Sequence, residues 1–443
     1  MKFLSIDIGT SSVKTAIVNE NLDVLASSKK DYRIRVSNVD WVELDADSVL
    51  GAIIDSVKAL PDSRDTDMVV FDNFSPSLVL MNRDGNPLYP IITHMDRRSK
   101  KQTRDILRDF GHDRFQAITG IQPFTGGASI TSLLWVKENC PDKFRDCHCL
   151  GHINTYIYRQ FTGQWAIDTV NASMTGMYET LTGNGWSEEI CGAFGIPLGM
   201  LPDVSYAGVP RGSLTGNIAR LSGLKEGLPV ALGTNDAAAA QVGAGNRSSG
   251  DILNICGSSE MISILTDKPI VNDSYYLRCF CLPGLWQIFA ITAGGFAIDW
   301  FREQFCRELS ARQFFDGELE EAIAICDKNL TVGYAPYLAG DRQSITPKKA
   351  TISGLTLDTK RIHVLAGILL GMHQPLLDVV GLCEDDIELH KKIKLTGGLL
   401  TPSFVDLKRR LFEGFSVDVI RDCPLKGNVA LVQDGNDSLK TLS

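Results

Sequence analysis

Phe3-Leu-Ser-Ile-Asp7-Ile-Gly9-Thr10-Ser11-Ser12-Val13-Lys14-Thr-Ala-Ile-Val18 places two apolar, β-branched runs on either side of a short polar turn. The pattern predicts a strand, a tight turn and a second strand. A turn this rich in small hydroxyl residues suits an anion. Backbone N–H groups at Gly9, Thr10 and Ser11 can point into one concavity, and the hydroxyls of Thr10 and Ser11 can donate to the same phosphate oxygens. Asp7 ends the first strand beside them, where its carboxylate would repel a phosphate unless a divalent cation lay between. Magnesium is therefore an implied partner, with Asp7 as its ligand. An ordinary hairpin with a polar turn would read the same way locally.

A second copy weighs against coincidence. Residues 251–264 read Asp-Ile-Leu-Asn-Ile-Cys-Gly257-Ser258-Ser259-Glu260-Met-Ile-Ser-Ile, again strand, Gly with two hydroxyls, strand. Ile8-Gly9-Thr10-Ser11 and Cys256-Gly257-Ser258-Ser259 form a divergent internal repeat separated by about half the chain. One phosphate hairpin in each half would clasp a nucleotide from both sides.

A chain of 443 residues exceeds one ordinary core, so about two or three domains are expected. Apolar content of 44% with 22% charged residues describes a globular protein, and a net charge of -9 without a basic block argues against nucleic acid as a partner. No uninterrupted apolar run approaches membrane-spanning length, and Met1-Lys2-Phe3 enters a strand instead of a signal-type apolar segment. A cytoplasmic location with no membrane partner is the expectation. The 11 cysteines are odd in number and lack a framework spacing, which suits reduced thiols. Cys140, Cys147, His148, Cys149 and His152 cluster, but Cys-x-Cys is not a zinc-knuckle spacing, and buried core cysteines are the favoured reading.

Along the chain, Trp41-Val-Glu43 precedes a helix over about 46–60 whose apolar residues recur at helical spacing. Asp72-Asn73-Phe74-Ser75-Pro76-Ser77 breaks two buried strands, a place where a ligand pocket can open. Residues 151–173 predict a helix stopped at Thr162-Gly163, then Asp168 and Asn171-Ala172-Ser173. In Leu228-Pro-Val-Ala-Leu-Gly233-Thr234-Asn235-Asp236-Ala-Ala-Ala-Ala240, an apolar strand gives way to an alanine-rich helix at about Asp236. A carboxylate there is held ionised by the helix terminus and serves either as an N-cap or as a base. Ala293-Gly294-Gly295 opens another helix, its glycines either admitting phosphates or only capping a strand. Strand 392–396 leads to Gly397-Gly398 and a helix over about 402–413, after which the chain closes quickly through Lys426-Gly427-Asn428 into a polar tail expected to fray.

These motifs together resemble the FGGY carbohydrate kinases of the actin-like ATPase superfamily, over nearly the whole chain. The resemblance implies an α/β fold of two ribonuclease H-like, actin-like ATPase domains with a central cleft, residues 1–244 on the sugar side and 245–443 on the nucleotide side. Gly233-Thr-Asn-Asp236-Ala-Ala is similar to the family's Gly-x-x-Asp-Ala-Ala segment, whose Asp is the catalytic base. His94-Met-Asp96-Arg97-Arg98 resembles its Trp-x-Asp-x-Arg motif with His94 for the tryptophan. Asp96 and Arg98 are read first as a structural ion pair. Tyr334-Ala-Pro336-Tyr-Leu-Ala-Gly340-Asp341-Arg342 resembles Pro-Tyr-Leu-x-Gly-Glu-Arg, with Ser344 where a proline is common. Gly397-Gly398 looks like the adenosine segment, where a side chain would intrude on base or ribose.

No P-loop or kinase-type glycine loop is present, so the chemistry must rest on positioning. The resemblance implies that Asp236 deprotonates a sugar hydroxyl attacking the γ-phosphate of ATP, while Gly9, Thr10, Ser11, Lys14, Gly257, Ser258, Gly294, Gly397 and Gly398 hold the nucleotide. Strand alternation could equally put Lys14 in solvent. Phe74, Ser75, Pro76 and Ser77 stand where xylulokinase-like members carry Gln-x-His-Gly, so the acceptor is left as a ketose, polyol or aldonate, with Ser75 and His94 as candidate contacts. The partner implied is a small sugar, and a homodimer is compatible with it. The competing reading is a non-catalytic actin-like sensor that binds nucleotide and sugar.

Overall fold

The computed structural model describes the chain except for Val39, Lys328, Ala339 and residues 341–347 and 442–443, and gives backbone alone for 436–441. Asp341, Arg342 and Ser344 thus lie outside the described residues.

Two large sheets repeat one topology. In the first, Val24–Asp31, Ser12–Asn19 and Lys2–Ile8 form an antiparallel meander, and Lys2–Ile8 then pairs in parallel with Met68–Asn73. In the second, Trp286–Thr292, Glu260–Thr266 and Ile252–Cys256 form the meander, and Ile252–Cys256 pairs in parallel with Lys392–Thr396. The divergent repeat seen in the two hairpins is therefore a repeat of whole sheets. Lys2–Ile8 alternates around Leu4, Ile6 and Ile8, all fully buried on the face covered by helix Ala46–Lys58. That helix is capped by Asp45, whose side chain accepts from the Ser48 N–H, and it buries Val49, Ile53 and Val57 at helical spacing. A smaller five-stranded sheet, which includes Trp41–Leu44, Ser77–Met81 and Ile91–Thr93, flanks the first.

One helix among the described residues, Arg361–Glu384, is long and apolar enough to cross a membrane. Its Leu365, Leu369, Met372, Leu376 and Val379 are buried in the cores beneath the second sheet, so packing accounts for its composition.

The chain ends in a further helix, Cys423–Thr441; the expected fraying concerns the last residues, of which 442–443 lie outside the described ones. Its Leu425, Val429 and Val432 pack on Phe3, Val18 and Val70 of the first sheet, so it returns from the second half to cover the opening strands. Gly427 and Gly243 let this helix lie against helix Asp236–Gly243. A Cβ on Gly427 would overlap the Ala239 carbonyl, and one on Gly243 the Cys423 carbonyl. Gly427 is thus a point of close approach between two helices.

Candidate active site

The opening hairpin closes through Gly9 N–H to Ser12 O at 3.0 Å, with Tyr32 donating its hydroxyl to Gly9 O and its N–H to Ser11 O at 3.0 Å. The second closes through Gly257 N–H to Ser259 O at 3.1 Å. It is buttressed from behind, because Gly295 N–H donates to Gly257 O at 3.0 Å and Phe296 N–H to Ser258 O at 2.9 Å. Gly294 has φ +53°, and a Cβ there would lie 2.6 Å from Glu260 N. Gly397 has φ +122° and abuts the Cys256 backbone, while a Cβ on Gly398 would face open space. At Gly294 and Gly397 the demand for glycine thus comes from the hairpin. Only Gly398 leaves room for a ligand.

Between the hairpins lies a cavity of about 580 Å³ that brings together Thr10, Ser11, Ser75, His94, Asp236 and Ser258. Gly9, Lys14, Gly257, Gly294, Gly397, Gly398 and Asp7 do not line it. Lys14 Nζ is 2.6 Å from Asp422 Oδ1 at the start of the closing helix. His94 stands edge-on to Phe74, ring centroids 5.7 Å apart.

Asp236 is positioned by a buried polar scaffold. Thr234-Asn235 runs parallel to Met68–Asn73, and Thr234 donates to Asp168 at 2.6 Å. Asp168 also accepts from Asn171 at 2.6 Å and Asn154 at 2.9 Å, which explains the polar residues of segment 151–173. The N-cap of the following helix is Asn235, whose Oδ1 accepts from Ala237 N at 3.0 Å and Ala238 N at 3.3 Å. Asp236 is thus spared the capping role, and its Oδ1 accepts from Ala237 N at 2.7 Å. The N–H of Ala237 at the helix terminus favours the ionised form as expected, and Asp236 is ionised at neutral pH, but its surroundings raise its basicity. Burial, and then the Asp7 charge, push its pKa up to about 6 against the opposing Ala237 N–H and Arg278.

Asp7 lies opposite Asp72 in the parallel register. Burial raises both carboxyls, Asp72 well above the usual range, with Asp7 and Asp236 raising it further. Asp72 accepts from Asn428 Nδ2 at 2.6 Å. The two carboxyls share a hydrogen bond, which raises Asp72 further and lowers Asp7 against its burial. Among the described residues no group of three or more His, Cys, Asp or Glu could hold a metal, so Asp7 offers a single carboxylate, which suits Mg2+ only where substrate phosphates supply the rest of its oxygens.

Sequence reasoning missed Asp72 and Arg278. Arg278 is 2% exposed yet lines the cavity, donating through Nη2 to Asn235 Oδ1 at 2.7 Å and through Nε to Gln287 Oε1 at 2.8 Å. The signal was a lone charge inside a buried strand, Tyr276-Leu-Arg278-Cys279. Asp96 and Arg98 do form the expected ion pair, 2.6 Å apart, and Glu43 joins Arg98 at 2.8 Å. Trp41 and Trp135 stack on the guanidinium at 4.2 and 4.9 Å, so Trp41-Val-Glu43 and Asp96-x-Arg98 are two parts of one brace. Cys147 and Cys149 are buried, with burial pushing the Cys147 thiol up to about 11, and His152 is held by Ser129 at 2.8 Å and Asn171 at 3.0 Å.

Two sheets of one topology, each bearing a small-residue hairpin at a shared cleft, are the doubled architecture of the actin-like ATPase fold. The family follows from sequence: residues 2–243 match the model of the FGGY family of carbohydrate kinases, N-terminal domain, and the chain belongs to that family. Its members are ATP-dependent phosphotransferases acting on hydroxyl groups. The chain is 27% identical to the xylulose kinase of Bacillus subtilis (strain 168) over 428 residues, covering 93% of this chain and 84% of that one. It is 25% identical to the gluconokinase of the same organism over 388 residues, covering 83% and 74%. A gluconate kinase structure from Lactobacillus acidophilus superposes with a TM-score of 0.89 at 20% identity, covering 99% of this chain and 89% of that one.

Proposed function

We propose that this enzyme transfers the γ-phosphate of ATP to a hydroxyl of a small sugar, with Asp236 as the general base. The observation that carries the reading is Asp236 itself, uncapped, in the cavity between the two hairpins, with a pKa of about 6. Such a carboxylate is ionised at neutral pH and basic enough to accept a proton as the hydroxyl attacks. Thr10, Ser11, Ser258 and Ser259 supply hydroxyl donors to the phosphates from both sides. Asp7 would hold Mg2+, backed by Asp72. When bound, that ion neutralises phosphate charge. Ser75, fixed by Asn235 Nδ2 at 3.0 Å, and His94 face the acceptor. Lys14 acts at a distance, through Asp7. The same reading divides the chain at 244/245, with the closing helix laid across the seam and Gly398 beside the adenosine.

The test is ADP release with magnesium and ATP across ketoses, polyols and sugar acids, beside Asp236→Ala. One sugar stimulating turnover in the wild type alone supports the reading. Sugar and nucleotide binding with no turnover above the variant would replace it with the sensor.

A further inference from the structure

Three cations are buried among the described residues: Arg98, Arg278 and Lys408. Arg98 is paired with Asp96 and Glu43, and Lys408 with Glu260. Arg278 has no carboxylate within ion-pair distance among the described residues. Its two hydrogen bonds go to neutral amide oxygens, on Asn235 and Gln287, and its Nη1 makes none. Burial lowers its pKa to about 10, which leaves it charged at neutral pH. A buried guanidinium with no direct ion pair is costly; Asp236 and Asp168 act on this one only through space, and it lines the cavity that holds Asp236.

Its position tells which ligand supplies the missing charge. Arg278 pairs with Gln287, which pairs with Leu265, whereas the second hairpin begins at Glu260, paired with Thr292. Five residues of strand separate the two rows, about 17 Å at the usual rise. Phosphates seated on that hairpin are therefore beyond the reach of an arginine side chain. Around Arg278 the wall is aromatic: Phe289 lies 4.6 Å beneath the guanidinium, and Tyr276 and Phe124 continue the stack. A low-polarity wall strengthens pairing with an anion and offers little to a polyol.

We infer that Arg278 binds a carboxylate of the acceptor, so that the sugar phosphorylated is an acid of the aldonate or uronate class. This rests on the kinase reading of the same cavity. Arg278 is then the residue that sets specificity, between the aromatic wall and the Asn235 that positions the base.

The experiment compares kcat/KM for matched pairs, each aldonate against the alditol of the same stereochemistry and each uronate against its parent aldose. The wild type is expected to favour the acid by about 10- to 100-fold, chiefly through KM. The ratio should fall toward one in Arg278→Gln and be partly restored in Arg278→Lys. Equal or better use of the neutral partner by the wild type overturns the inference and leaves the kinase intact. An unchanged ratio in Arg278→Gln with a lost preference for ATP over ADP also overturns it, by assigning the anion to the γ-phosphate. Turnover of neither partner overturns both readings. Since Arg278 also holds Asn235, a wild-type arm stands apart from any variant's folding. A thermal shift with the acid and not with the alditol, without nucleotide, supports the assignment, and equal or absent shifts refute it.

Discussion

Replacing Asp236 by Asn should remove activity and stabilise the protein, and both effects follow from one number. Burial and the neighbouring Asp7 lift the carboxyl from 3.8 to about 6. Keeping it ionised at neutral pH therefore costs the folded state about 3 kcal/mol at 1.36 kcal/mol per unit. Asp236 is only half-buried and opens into the cavity, so solvent screening reduces the recoverable part to about 1–2 kcal/mol. The sign is specific. The folded pKa lies above the unfolded one, so the protonated form's contribution is fully present below pH 3.8 and is lost as pH rises through about 6. The wild type should thus fall behind Asp236→Asn between about pH 4 and pH 6, with a constant gap above, read as the difference in Tm in parallel pH series. Turnover should drop by about 10²- to 10⁴-fold in the variant, and wild-type kcat/KM should climb with pH to a plateau above about 6. A variant less stable than wild type at neutral pH, or a flat rate profile across pH 5 to 7, would refute the argument that the site strains its own base.

Arg98→Met leaves Asp96 and Glu43 buried without their cation and should cost about 3–5 kcal/mol in denaturant unfolding; a loss within error would mean that the brace is solvated. Gly427→Ala drives a Cβ into the Ala239 carbonyl and should cost about 1–3 kcal/mol while shifting the base helix, so that specific activity falls even in the folded fraction. Gly397→Ala adds a side chain at φ +122° against Cys256 and should raise the KM for ATP with little change in the KM for the sugar. Equal effects on both would place the damage outside the nucleotide half.

What was legible in the sequence is what local chemistry encodes. Both hairpins stand at their expected places because alternation and small turn residues specify them without help from the rest of the chain. Strands Trp286–Thr292 and Lys392–Thr396 likewise match their apolar runs. The closing helix was not read from Lys426-Gly427-Asn428 because a glycine is ambiguous locally, and only the Ala239 backbone shows the close contact it serves. Gly294 and Gly397 show the same ambiguity. A pattern can say that something approaches these glycines, but not that the neighbour is the second hairpin instead of a nucleotide.

Asp72 and Arg278 were illegible for a different reason. Each is a single charge in a buried strand, with no spacing to betray it, and its meaning depends on what it lacks. Asp72 gains a role because Asp7 faces it across a parallel register and Asn428 arrives from the far end of the chain. Arg278 gains one because no carboxylate among the described residues reaches it directly, Asp236 and Asp168 acting only through space. A fold tolerates an unpaired buried charge where a ligand completes it, since the cost in the empty protein is returned on binding and adds to selectivity against ligands that lack the partner charge. The residues that set the acceptor are then those that leave the empty cavity incomplete, and they become visible only once every other buried charge has found its partner.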